Sequence, residues 1–166
     1  MRELQRLTSE YVESEDRIRV SGELDSDEIV VMWLSQRLLT RLLPHLFLWL
    51  EKQSKQNIPL EIEQSFAQEA ARGALKTEIP VKHLGESNQW LVEAVDLTPS
   101  KDVFIMSFRS ASGQRENLSL QPVALRQWLG FIHALWALAE WPDNIWPEWI
   151  SQEAQDPKQS QQSRLH

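Results

Sequence analysis

Arg37, Arg41 and His45 are the residues whose type and spacing come nearest to a site in this chain. Spaced four apart, they share one side of a helix. Two guanidinium groups and an imidazole in line suit a phosphate or carboxylate, which Arg grips through two parallel hydrogen bonds. With Trp33 they would line an anion pocket between a sheet and its helices. The same spacing also describes the solvent-facing line of an otherwise buried helix, its arginines paired to nearby acids.

Other chemistry is scarcer. His45, His83, His133 and His166 show no metal-ligand spacing, and His133 lies in an apolar run where a hydrogen-bonded core histidine is expected. Glu13, Glu15 and Asp16, like Asp25, Asp27 and Glu28, fall in turns and lack the glycine and closing glutamate of a calcium loop. There is no nucleophile elbow and no phosphate-binding glycine loop, and only five glycines from which to build one. With no cysteine, thiol catalysis, thiolate metal sites and disulfides are excluded. No metal and no cofactor are expected.

The aromatic content is the other signal. There are eight tryptophans and one tyrosine, and Trp136, Trp141, Trp146 and Trp149 are interleaved with Pro142 and Pro147. Trp-Pro pairs stop a helix and lay indoles along a turning segment. Such rings cap a core, close a dimer, or form a platform for a partner. These four are the candidate interaction residues.

The elements that would position these groups follow from periodicity. Leu4–Glu13 is a weak strand candidate. Arg17–Leu24 alternates, with Ile18, Val20 and Leu24 against Arg17, Arg19 and Glu23, and Ile29–Leu34 reads as a central strand. Ser35 caps a helix running to about Ser54, with a kink or break expected at Pro44. A polar linker, Lys52–Asn57, leads to a helix opened by Pro59, with Ile62, Phe66, Ala70 and Ala74 on one face. Ile79–Leu84 is a short edge-strand candidate, residues 85–88 a turn, and Trp90–Leu97, Val103–Phe108 and Glu116–Leu120 are further strands. Pro122 opens a last helix, in which Gly130, Ala134 and Ala137 form a small-residue strip.

These elements predict an α+β fold: an antiparallel sheet of six or seven strands with three helices, in the order strands, helix, helix, strands, helix. One domain is expected over residues 1–151, followed by a polar, disordered tail from 152 to 166. In element order, though in no motif, the chain resembles the head domains of eukaryotic end-joining scaffold proteins, where a helical insert divides a sheet before a final helix. The resemblance implies an arrangement and no function.

Composition narrows the function classes. The formal net charge of −7, spread over both halves, opposes nucleic-acid binding. Residues 29–50 reach transmembrane length, but each central Arg costs about 2.5–3.5 kcal/mol to insert, so no membrane association is expected. The opening residues lack the apolar segment of a signal peptide, which gives a cytoplasmic expectation. Two helices apolar nearly all round exceed what one sheet face covers. The expectation is therefore a non-enzymatic interaction or assembly protein, pairing with itself as a homodimer or with another protein. The alternative is a small-molecule or anion-binding protein, with enzymatic activity open, using the Arg37–Arg41 pocket.

Overall fold

A computed structural model describes residues 2–53, 58–83, 85 and 88–154. The elements are β1 (Leu4–Val12), β2 (Arg17–Leu24), β3 (Ile29–Ser35), α1 (Gln36–Glu51), α2 (Leu60–Gly73), β4 (Asn88–Leu91), β5 (Ala94–Pro99), β6 (Phe104–Arg109), β7 (Arg115–Leu120), α3 (Pro122–Leu138) and α4 (Glu148–Ala154), with a 3-10 turn at Asp143–Ile145. The fold is α+β, but the seven strands among the described residues divide into sheets of four and three.

The first sheet, β1-β2-β3-β4, grows from an antiparallel meander. Asp16 and Asp27 turn its two corners at φ of 50° and 64°, a conformation Asp tolerates better than most residues. Register Ile18↔Leu34 and Val20↔Met32 gathers Ile18, Val20, Leu24, Val30, Met32 and Leu34 on the core face. Arg17, Arg19 and Glu23 take the opposite face, as period-two alternation requires. Of the expected edge strand Ile79–Leu84, Leu84 lies outside the described residues and residues 79–83 join no sheet. They cross that outer face instead: the Val81 N–H donates to Thr8 Oγ1 at 2.8 Å, and Val81 is buried there.

Ser35 caps α1 as its sequence suggests, its Oγ accepting from the Leu38 N–H at 3.1 Å. The helix continues through Pro44 without a break. Pro44 and Thr40 both face solvent, so water can satisfy the Thr40 carbonyl that the missing proline N–H leaves free. The linker positions 54–57 lie outside the described residues.

Two helices and the crossing segment return the chain to the sheet, so β4 enters beside β3 in parallel, Met32↔Trp90. The stretch expected as one strand, Trp90–Leu97, then breaks. The Val92 N–H donates to the Trp33 carbonyl, whereas the Glu93 N–H donates to the Arg109 carbonyl of β6. The chain thus changes sheets between adjacent residues. Antiparallel β5-β6-β7 follows, placing Phe104, Met106, Phe108 and Leu118 in the core.

Pro122 occupies the first turn of α3, as predicted, where its missing N–H costs nothing. Trp128 Nε1 of this helix donates to Ser9 Oγ on β1 at 3.3 Å. The short helix α4 was not expected and extends into the segment read as tail; positions 155–166 lie outside the described residues. No helix among the described residues is long and apolar enough to cross a membrane.

Candidate functional site

Arg37, Arg41 and His45 lie on the outer face of α1, exposed, with Lys52 continuing the line at the helix end. None of the four has a salt bridge among the described residues. Trp33 does not join them. Its indole N–H donates to Gln89 Oε1 on β4 at 3.2 Å, and the Arg19 guanidinium lies 5.8 Å from its ring centre. A shallow groove of about 230 Å³ lies beside the far end of the stripe, lined by His45, Leu48, Trp49, Lys52, Leu97, Pro99 and Phe104. Neither Arg37 nor Arg41 lines it.

The four tryptophans expected to serve an interaction are brought together, but inside the chain. Trp136, Trp141, Trp146 and Trp149 are each 7% exposed or less. Trp136 meets Trp141 at 4.9 Å and Trp146 at 5.7 Å between centroids, both nearly edge-to-face, the geometry favoured by ring quadrupoles. Phe47 of α1 contacts Trp146 and Trp149. Three indoles donate hydrogen bonds: Trp136 to the Pro142 carbonyl, Trp141 to Asp16 Oδ1 and Trp149 to Glu51 Oε1. The cluster therefore packs against its own core. The proline turns fold the segment back, Pro142, Asp16 and Glu51 supply three acceptors, and the buried Trp146 N–H is left without one among the described residues.

What reaches solvent is an outer helical surface formed by α2 and α3. On α2 the apolar face is turned outward: Phe66 is 65% exposed and Ile62 48%, while Gln64 and Gln68 are 1% exposed. The glutamines are drawn in by acceptors. Gln64 Nε2 donates to the Leu50 carbonyl at the end of α1, and Gln68 Nε2 to the Arg126 carbonyl of α3. On α3 the pattern recurs. Its covered side carries Leu125, Trp128, Leu129, Ile132 and Trp136, but also Arg126 and His133. Its outward arc carries Val123 (51% exposed), Phe131 (47%) and Leu138 (68%), with Ala134 and Ala137 exposed and Gly130 partly covered. No charged residue lies on that arc.

Arg126 is 5% exposed. One of its terminal nitrogens donates to Gln64 Oε1, its guanidinium carbon stands 5.3 Å from the centre of the Trp149 ring, and the other terminal nitrogen has no partner. Burial pulls its pKa down to about 10, against the opposing charge of Glu63. Both residues line a groove of about 380 Å³ between α2 and the start of α3, walled by Ala67, Ala70, Ala74, Pro122 and Val123. His133 is likewise buried. Desolvation lowers its pKa, partly offset by Asp143, whose Oδ1 is 3.7 Å from Nε2. No group of three or more His, Cys, Asp or Glu side chains among the described residues is placed to hold a metal ion.

No family model, curated protein or solved structure matches this chain.

Proposed function

We propose that this chain is a non-enzymatic interaction or assembly protein that pairs with a second copy of itself through the outward arc of α3. The observation that carries the reading is the composition of that helix. A helix apolar nearly all round belongs in an interior, and here its own fold covers only one side. Val123, Phe131 and Leu138 remain in water with no charge among them. A two-fold axis sets the same surface against itself. An uncharged arc meets its copy without repulsion, which in an acidic chain few other surfaces can do. Gly130, Ala134 and Ala137 let two helix backbones approach closely at the centre.

The alternative, binding of a small anionic molecule, draws on the unpaired nitrogen of Arg126 in the α2–α3 groove. Glu63 lines the same groove and sets a negative charge against such a ligand, so pairing is the stronger reading. Sedimentation velocity at tens of micromolar tests it. The wild type should run as a dimer, and Phe131→Glu with Leu138→Glu should give a folded monomer by circular dichroism. A monomeric wild type overturns the proposal.

A further inference from the structure

We infer that the outer face of α1 is a second docking surface, which takes an acidic peptide segment carrying an apolar anchor. The first ground is unmatched charge. Arg2, Arg6, Arg19, Arg109 and Arg115 each reach a carboxylate within 3.3 Å. Among the described residues Arg37, Arg41 and Lys52 reach none, although the chain has 24 acidic residues against 17 basic ones. Arg17, Lys76, Lys82 and Lys101 have no salt bridge among the described residues either, but only on α1 do such cations line up along one helix face.

The helix dipole accounts for Lys52, at the C-terminal end of α1, but not for the start of the line. Arg37 sits in the first turn of α1, where the helix dipole disfavours a positive charge, and that turn holds no acid. Arg41 and His45 follow one turn apart on the same face, so the line is continuous. Arg37 and Lys52 are separated by about 22 Å at the helical rise of 1.5 Å per residue, the length of roughly seven extended residues.

The second ground is the groove that this line borders. Leu48 is half exposed, and with Trp49, Leu97, Pro99 and Phe104 it lines the concavity of about 230 Å³, while His45 and Lys52 stand at the same groove. An apolar floor with Lys52 at its rim, and Arg41 and Arg37 further along the same helix face, match a side chain such as Leu or Phe flanked by carboxylates. A lipid surface fits less well, because the apolar residues form a hollow rather than a protrusion. Nucleic acid fits less well too, because the chain's net charge repels a phosphate backbone beyond the stripe. This surface lies on a different helix from the α3 arc and does not depend on pairing.

The test uses the full chain and a fluorescein-labelled synthetic peptide in which glutamates flank a central Leu-Phe pair, read by fluorescence anisotropy. Binding should weaken as salt rises. It should fall roughly tenfold or more with Arg37→Glu and Arg41→Glu together, since opposed charges steer and hold such contacts. Leu48→Ser should weaken it independently. A peptide with lysines for the glutamates, and one with Gly-Ser for Leu-Phe, should not bind. All these substitutions are on exposed positions, and the sedimentation behaviour should be unchanged. Absent binding of the Leu-Phe peptide overturns the inference, as does undiminished binding to the double variant. Tighter, stripe-dependent binding to phosphatidylserine vesicles or duplex DNA also overturns it, by assigning the stripe to phosphates.

Discussion

Lowering the pH should destabilise this protein in the range where histidine titrates, and His133 should be the cause. Its side chain is 9% exposed and packs edge-on against Trp146 at 4.8 Å. Desolvation disfavours its charged form in the folded chain, and Asp143, itself 69% exposed, restores only part of that loss. In the unfolded chain the imidazole protonates near its ordinary value of 6.5. Below that value the unfolded state holds more protons than the folded one, so stability falls as pH falls. The loss continues until the depressed folded value is reached and then levels off; above the ordinary value the contribution is constant. One proton gives a slope of at most about 1.4 kcal/mol per pH unit. With a typical urea dependence, this is a midpoint shift of roughly half to one molar per unit. Urea melts followed by tryptophan fluorescence at several pH values would measure it. His133→Gln should flatten the slope whatever it does to the absolute midpoint, and Asp143→Asn should extend the loss to lower pH. Asp16 and Asp96 are held below the usual carboxylate range by hydrogen bonds, led by Tyr11 and Arg109, so their loss comes at more acid pH. A wild-type midpoint that does not move across the histidine range would refute the reasoning, as would an equal slope in His133→Gln.

Trp149→Ala should cost about 3–5 kcal/mol, because it removes a fully buried indole that contacts Phe47 and Arg126. That corresponds to a fall in thermal midpoint of roughly 10 °C by calorimetry, and a change in oligomeric state with unaltered stability would contradict the placement. Tyr11, the only tyrosine, donates to Asp16 at 2.7 Å and has its pKa pushed up to about 12. Asp16→Asn should bring its ultraviolet titration back toward 10, and an unmoved titration would remove the carboxylate as the cause.

Local signals in the sequence translated directly into structure. The alternation of residues 17–24 became β2 without adjustment, and Ser35 and Pro122 marked helix starts because their chemistry acts within one turn. The change of sheets at Val92 and Glu93 was not legible, since an apolar run does not say which carbonyls its N–H groups will find. The orientation of α2 was hidden for a similar reason. Ile62, Phe66, Ala70 and Ala74 do share a face, but acceptors on Leu50 and Arg126, remote in sequence, drew the glutamine face inward. Among the candidate sites, the spacing of the Arg37 line allowed either a pocket or an exposed edge, and only the packing of α1 leaves it exposed. The buried places of Trp141 and Trp149 use acceptors at Asp16 and Glu51 that no local pattern announces.

The bond from Trp141 to Asp16 spans 125 positions, tying the first hairpin to the tryptophan-rich segment. The first hairpin leaves the ribosome long before Trp136, Trp141, Trp146 and Trp149 exist to cover the apolar faces beside it. During synthesis the nascent chain must therefore carry Ile18, Val20, Met32 and the greasy side of α1 uncovered for most of its elongation. Until the tryptophans are made, those faces are open to aggregation and to chaperones, a hazard that the stability of the finished fold does not remove.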